Sequence, residues 1–131
     1  MHIYKGKVFR EQLTEDEQQA LVEDFRRYKT TGELPDTFGR DVAYDHPHTP
    51  RLVLAEEVKH IHLATGEAPW SVRAIQYHRK SDTHLVYCQG ALNDDHYLLI
   101  AVLTPDAHAQ AKNMNVMTKL GQAAEKFRQQ Y

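Results

Sequence analysis

The run Tyr97-Leu-Leu-Ile-Ala-Val-Leu103 constrains this chain more than any other feature. A strand with one wet face alternates apolar and polar residues. This one is apolar at every position, so both of its faces must be covered. It therefore needs strands at its sides and packed layers above and below. It is far too short for the roughly 20 residues that cross a bilayer. The chain has 131 residues, the length of one domain spanning 1–131. With 41% hydrophobic and 26% charged residues it has a globular composition, which excludes the disordered and fibrous classes.

The covering layers are legible on either side of that strand. Thr14-Glu-Asp-Glu17 is a capping box: the Thr hydroxyl accepts from the Glu17 amide while the Glu17 carboxylate reaches back. Leu21, Phe25 and Tyr28 follow at helical spacing. Acids fill the first turn, Arg26, Arg27 and Lys29 the last, and Gly32 ends the element, so the pattern predicts a helix over 14–31. Met117, Leu120, Ala124, Phe127 and Tyr131 form one apolar stripe, which predicts a C-terminal helix. Asp106, after Pro105, is placed to cap a shorter helix before it. Residues 3–10 suit a first strand. A period of two over 58–64 and, less cleanly, over 72–79, followed by 84–89 and 97–103, predicts further strands, with turns at Gly66, Ser81-Asp82 and 90–95. Short connections imply antiparallel pairing. Residues 33–55, punctuated by Pro35, Gly39, Pro47 and Pro50, read as a long polar connection with a short helix near 51–57. The expected fold is α+β: a small antiparallel sheet flanked by N-terminal and C-terminal helices.

Several function classes drop out. Met-His-Ile-Tyr-Lys-Gly-Lys at the N-terminus carries no apolar stretch, so no secretory signal is expected and the cytoplasm is the expected location. Cys88 is alone, which rules out an internal disulfide and a multi-cysteine zinc site. Gly66 and Gly90 are isolated, so no glycine loop cradles a phosphate. The net charge is −2, with Lys5, Lys7 and Arg10 at the start and acids crowding residues 11–36. No segment is basic enough to grip free nucleic acid strongly.

The unusual count is nine histidines. Histidine titrates near neutral pH and is the commonest proton-transfer group. His60 and His62 lie two apart on an expected strand, so both leave one face while Ile61 and Leu63 take the other. Such a pair suits a metal site or acid–base work; it equally suits a half-exposed sheet face. A metal needs further ligands, and although His84 can supply one, the spacing does not demand it, so no metal and no cofactor are expected. Arg79, Asp82 and His84 flank a turn. A guanidinium beside imidazoles is the minimum equipment for cleaving RNA through its 2′-hydroxyl: a base, an acid and a cation for the phosphorane. The plainer reading is a turn-stabilising Arg–Asp pair. Tyr87 suits either a base stack or the sheet interior, and Cys88 a small core position. His46 and His48 read as loop residues. His108, Lys112 and Lys119 form either a solvated helix start or a basic rim.

Phe38-Gly-Arg-Asp41 with Tyr44-Asp45, His60-Ile-His-Leu-Ala64, His84-Leu-Val-Tyr-Cys-Gln-Gly90, Leu98-Leu-Ile-Ala101 with Pro105 and His108, and Ala124-Glu-Lys-Phe-Arg128 together resemble the YafO-type toxins. These are the mRNA interferase halves of bacterial type II toxin–antitoxin pairs. The resemblance runs from Leu13 to the C-terminus. It implies ribosome-dependent endonucleolytic cleavage of mRNA, neutralisation by a cognate antitoxin, and growth arrest by the free toxin. Through the more distant RelE-type ribosomal toxins it also implies a small antiparallel sheet between helices. It does not assign the catalytic side chains, which vary among RelE-type sites. The catalytic candidates are therefore His60, His62, Arg79, His84 and His108. The candidate contacts to RNA and ribosome are Arg40, Arg51, Tyr87, Lys112 and Lys119. The weak net charge fits a message presented by the ribosome rather than gripped by the toxin. The expected partners are an antitoxin, the ribosome and mRNA, with no membrane. Two alternatives stand beside this: a non-catalytic toxin-like domain that only binds antitoxin or ribosome, and a metal-dependent hydrolase using His60, His62 and His84.

Overall fold

A computed structural model describes residues 1–64, 70–71 and 73–131. Strands β1 (His2–Lys5), β2 (Phe38–Ala43), β3 (Lys59–Leu63), β4 (His84–Gln89) and β5 (His96–Leu103) form one sheet in the order β1-β5-β4-β3-β2. The pairs from β2 through β5 are antiparallel, and β1 adds to β5 in parallel. Helices α1 (Lys7–Gln12), α2 (Glu15–Thr31), α3 (Arg51–Ala55), α4 (Ala107–Gln110) and α5 (Met114–Gln130) complete the chain. The expected α+β architecture holds, with one parallel pair in an otherwise antiparallel sheet.

The two-faced strand behaves as its composition demands. β5 lies between β1 and β4 and is buried on both faces; β4, not β5, holds the middle of the sheet. Leu98, Ile100 and Leu103 pack with Val53, Met117, Leu120, Ala124 and Phe127 from α3 and α5. Tyr97, Leu99 and Val102 pack with Phe9, Phe25 and Phe38 on the other side. Each fully buried large apolar side chain contributes about 1.5–3 kcal/mol. α2 forms as its capping box dictates: the Glu17 amide donates to Thr14 Oγ1 at 3.2 Å, and the Thr14 amide donates to Glu17 Oε1 at 2.9 Å. Gly32 ends it at φ 75°, the left-handed conformation that glycine adopts without strain.

Four local expectations are corrected. The first strand stops at Lys5, and residues 7–12 turn into α1. The helix seals Phe9 completely and leaves Val8 half exposed. The missing half of this edge is replaced by a side chain. The Gln12 amide donates to the Val102 carbonyl at 2.7 Å and accepts from the Val102 amide at 2.8 Å, satisfying backbone that β1 is too short to reach. Second, the presumed connection over 33–55 contains β2. Gly39 and a register shift between Phe38 and Asp41 break its alternation. Third, of the expected strand over 72–79 the described residues 73–79 do not make one; a short 3-10 turn at Gln76–His78 lies against β2, with the Arg40 amide donating to the Arg79 carbonyl at 2.8 Å. A Cβ on Gly39 would collide with the Arg79 backbone, so glycine permits this approach. Val72 and the Gly66 turn fall outside the described residues. Fourth, the Asp106 side chain does not cap α4. Asp106 is itself left-handed at φ 58°, and Asp82 caps from across the sheet end, its Oδ1 accepting from the His108 amide at 2.8 Å.

Candidate active site

The antiparallel ladder between β3 and β4 sets His62 directly opposite His84 and His60 opposite Val86. Residues opposite one another share a face, so the three imidazoles share one. It is the face that α3 and α5 cover further along the sheet. Ring centroids are 4.4 Å apart for His62–His84, 4.5 Å for His60–His84 and 5.2 Å for His60–His62. Tyr44, just past β2, lies flat on His60 at 3.9 Å and 12° and hydrogen-bonds His84 Nδ1 through its hydroxyl at 3.2 Å.

The three rings differ in access. His60 is 7% exposed and His84 4%, whereas His62 is only half-buried. His62 Nδ1 sits 2.8 Å from the Ser81 amide and 2.9 Å from the Ser81 carbonyl. It can accept from the one when bare and donate to the other when protonated, so both states have a partner. His60 Nδ1 is buried with no hydrogen-bond partner among the described residues.

Burial holds all three rings neutral. Desolvation pushes His60 down to about 2, with His84 and His62 adding repulsion. Desolvation, then His62, pushes His84 down to about 4. His62 is lowered too, first by burial, against the Ser81 bond that favours its charged form. Burial raises the Tyr44 hydroxyl, so it stays protonated. The sign for stability follows. Between about pH 6.5 and 4 the unfolded chain protonates His60 and His84 and the folded one does not, so the unfolded state binds more protons. The stabilisation is complete above pH 6.5 and is lost as pH falls. From pH 7 to pH 5, His60 and His84 should each cost about 2 kcal/mol of unfolding free energy. Urea midpoints at the two pH values check this; a midpoint unchanged at pH 5 would contradict neutral, buried imidazoles.

In front of the rings lies a cleft of about 330 Å³. β2 contributes Arg40, the segment before β4 Lys80, α4 His108 and the turn after it Lys112; among the described residues Asp45 is the lone carboxylate of the lining. Three cations and one acid favour an anion, and the half-enclosed walls sharpen the field. Arg40 is aimed by Tyr77, whose carbonyl accepts from its Nε at 2.7 Å and whose ring lies 3.8 Å from its guanidinium.

Six of the ten sequence candidates thus line one cleft: Arg40, His60, His62, His84, His108 and Lys112. The other four lie elsewhere. Arg79 is not brought to the imidazoles; its Nε donates to the Ala74 carbonyl at 3.2 Å and its Nη1 to the Phe38 carbonyl at 3.4 Å. Tyr87 points to the opposite face, 1% exposed, its hydroxyl donating to Asp41 at 2.7 Å, so it offers no surface to a base. Arg51 and Lys119 are exposed on α3 and α5, away from the cleft lining. Cys88 is buried and its thiol pushed up to about 12 by desolvation, which leaves it inert. Tyr44 and Lys80 were not expected. Tyr44 has a signal: it follows Val42 by two residues, and Val42 is opposite His60, so recognising β2 puts Tyr44 on the histidine face.

The family model for toxin YafO of type II toxin–antitoxin systems matches residues 26–129. The chain belongs to the YafO toxin family. That match takes in every side chain of the cleft. A YafO-family relative, mRNA interferase toxin YafO of Escherichia coli (strain K12), is 46% identical over 132 residues, covering 100% of both chains. No solved structure matches the chain.

Proposed function

We propose that this YafO-family chain is an endoribonuclease that cuts mRNA on the ribosome, in the cytoplasm, and is silenced by a cognate antitoxin. The observation that carries the proposal is the group of three neutral imidazoles on the floor of a cationic cleft. Membership of a type II toxin–antitoxin family, and the printed name of its 46% identical relative, support the substrate and the antitoxin. No described helix is long and apolar enough to cross a membrane.

The chemistry assigns itself by access. A phosphodiester among Arg40, Lys80 and Lys112 meets His62 first. His62 accepts the 2′-hydroxyl proton as that oxygen attacks phosphorus. His108, on the rim, gives a proton to the 5′-oxygen as the bond to it breaks. Arg40, rather than Arg79, faces the charge that builds on the phosphorane. The products carry a 2′,3′-cyclic phosphate and a 5′-hydroxyl. His60, His84 and Tyr44 position His62 from behind. With a net charge of −2 the toxin grips free RNA poorly, so the ribosome must supply the local concentration. Primer extension on a translated message should show cuts with ribosomes present and at least tenfold slower cutting of naked RNA. Equal rates would contradict the ribosome requirement.

A further inference from the structure

We propose that His60, His62 and His84 also bind one zinc ion, and that the bound ion switches the nuclease off. One ring nitrogen from each residue lies within 4.8 Å of the other two. Zinc bonds imidazole nitrogen at about 2.0–2.1 Å, which places tetrahedral ligand atoms about 3.4 Å apart, so closure asks for side-chain rotations and no backbone change. The scaffold is rigid: two of the ligands oppose one another on a ladder inside the sheet and the third is two residues along the same strand. Outer partners are already in place. Ser81 holds one nitrogen of His62 and the Tyr44 hydroxyl one nitrogen of His84, leaving the second nitrogen of each ring for a ligand. His60 Nδ1 is a buried polar atom with nothing to bond among the described residues. Three imidazoles with no carboxylate select zinc or a neighbouring transition metal over magnesium or calcium. The fourth position opens to the cleft and is free for water.

An imidazole whose lone pair is on zinc cannot accept a proton from RNA. Occupancy therefore removes the base while leaving the fold intact. The blocking half of this proposal rests on the nuclease reading; the binding half does not.

Titration of metal-free, full-length protein with zinc chloride, followed by calorimetry, tests the binding half. One ion per chain is expected at this site, with at least tenfold weaker binding in His62→Ala and a raised thermal transition in the unsubstituted protein. Cobalt(II) on the unsubstituted protein should give the intense visible absorption of a tetrahedral ion, which needs no variant. A second surface group, His2, Asp95 and His96, also comes together, so zinc held equally well by His62→Ala would belong there and overturn the proposal. Saturating zinc should suppress cleavage of ribosome-bound mRNA at least tenfold, with full recovery on adding EDTA. Bound zinc that leaves cleavage unchanged, or raises it, overturns the blocking half. One zinc lost in His62→Ala, in a protein that never cleaves RNA, sustains the binding half and defeats the nuclease reading instead.

Discussion

His62→Ala should slow cleavage of ribosome-bound mRNA by roughly 10²–10⁴-fold, the usual contribution of one proton-transfer group. The expectation rests on access and on hydrogen bonding. His62 is the least buried of the three clustered imidazoles, and its Nδ1 meets both the amide and the carbonyl of Ser81. His84 is bonded by the Tyr44 hydroxyl but is almost fully buried, so His62 is the ring that combines such a partner with access to the cleft. Because His62 is half-buried, its loss should move the urea midpoint little, which separates a chemical effect from unfolding. Arg79→Ala makes the contrast. Among the described residues its guanidinium bonds two backbone carbonyls, so the substitution should weaken stability more than it slows chemistry. Arg40→Ala should do the reverse. A His62→Ala protein that keeps a tenth or more of its rate would remove His62 as the base.

Asp41→Ala should cost about 3–5 kcal/mol of unfolding free energy, the range for breaking a buried ion pair by removing one partner. Asp41 lies on β2 with its side chain 8% exposed. Its Oδ1 accepts from the Tyr87 hydroxyl at 2.7 Å and its Oδ2 from the Tyr28 hydroxyl at 2.8 Å. The Lys29 ammonium is 3.5 Å from the same carboxylate and within 5.8 Å of four aromatic ring centroids. Removing the carboxylate strands two hydroxyls and a half-buried cation whose charged form burial already disfavours. This clasp fixes α2 to β2, and β2 carries Arg40 and leads into Tyr44, so activity should fall with stability. Asp41→Asn, which keeps one acceptor oxygen for a tyrosine hydroxyl and the side-chain volume, should lose less. A cost under about 1 kcal/mol for Asp41→Ala would show that the clasp does not hold the edge strand.

What could be read from the residues alone follows how local each signal is. The capping box at Thr14, the stripe from Met117 to Tyr131 and the two-faced strand at Tyr97 act over a few residues, and each element formed. β2 was hidden because what makes it a strand is remote: β3 on one side, Arg79 packed on Gly39 on the other, and a bulge that breaks the alternation. The 72–79 pattern misled in the opposite direction: its described part lies along the open edge of β2, joined through Arg79, but winds into a 3-10 turn at Gln76–His78 instead of extending the ladder. The same logic governs the site. His60 and His62 share a face by period alone, but the addition of His84 depends on the register of β4, which no spacing specifies. Arg79 was attractive through its nearness to His84 in sequence, while Arg40, from a distant strand, is the guanidinium that the fold delivers to the cleft.

The most direct measurement is cleavage of a ribosome-bound message in which the nucleotide before the scissile bond carries a 2′-deoxyribose. With imidazoles as base and acid, the 2′-oxygen is the nucleophile, so the cut at that position should vanish while the all-ribose message is cut and ends in a 2′,3′-cyclic phosphate. Continued cleavage of the deoxy-substituted message, leaving a 3′-hydroxyl, would contradict the mechanism.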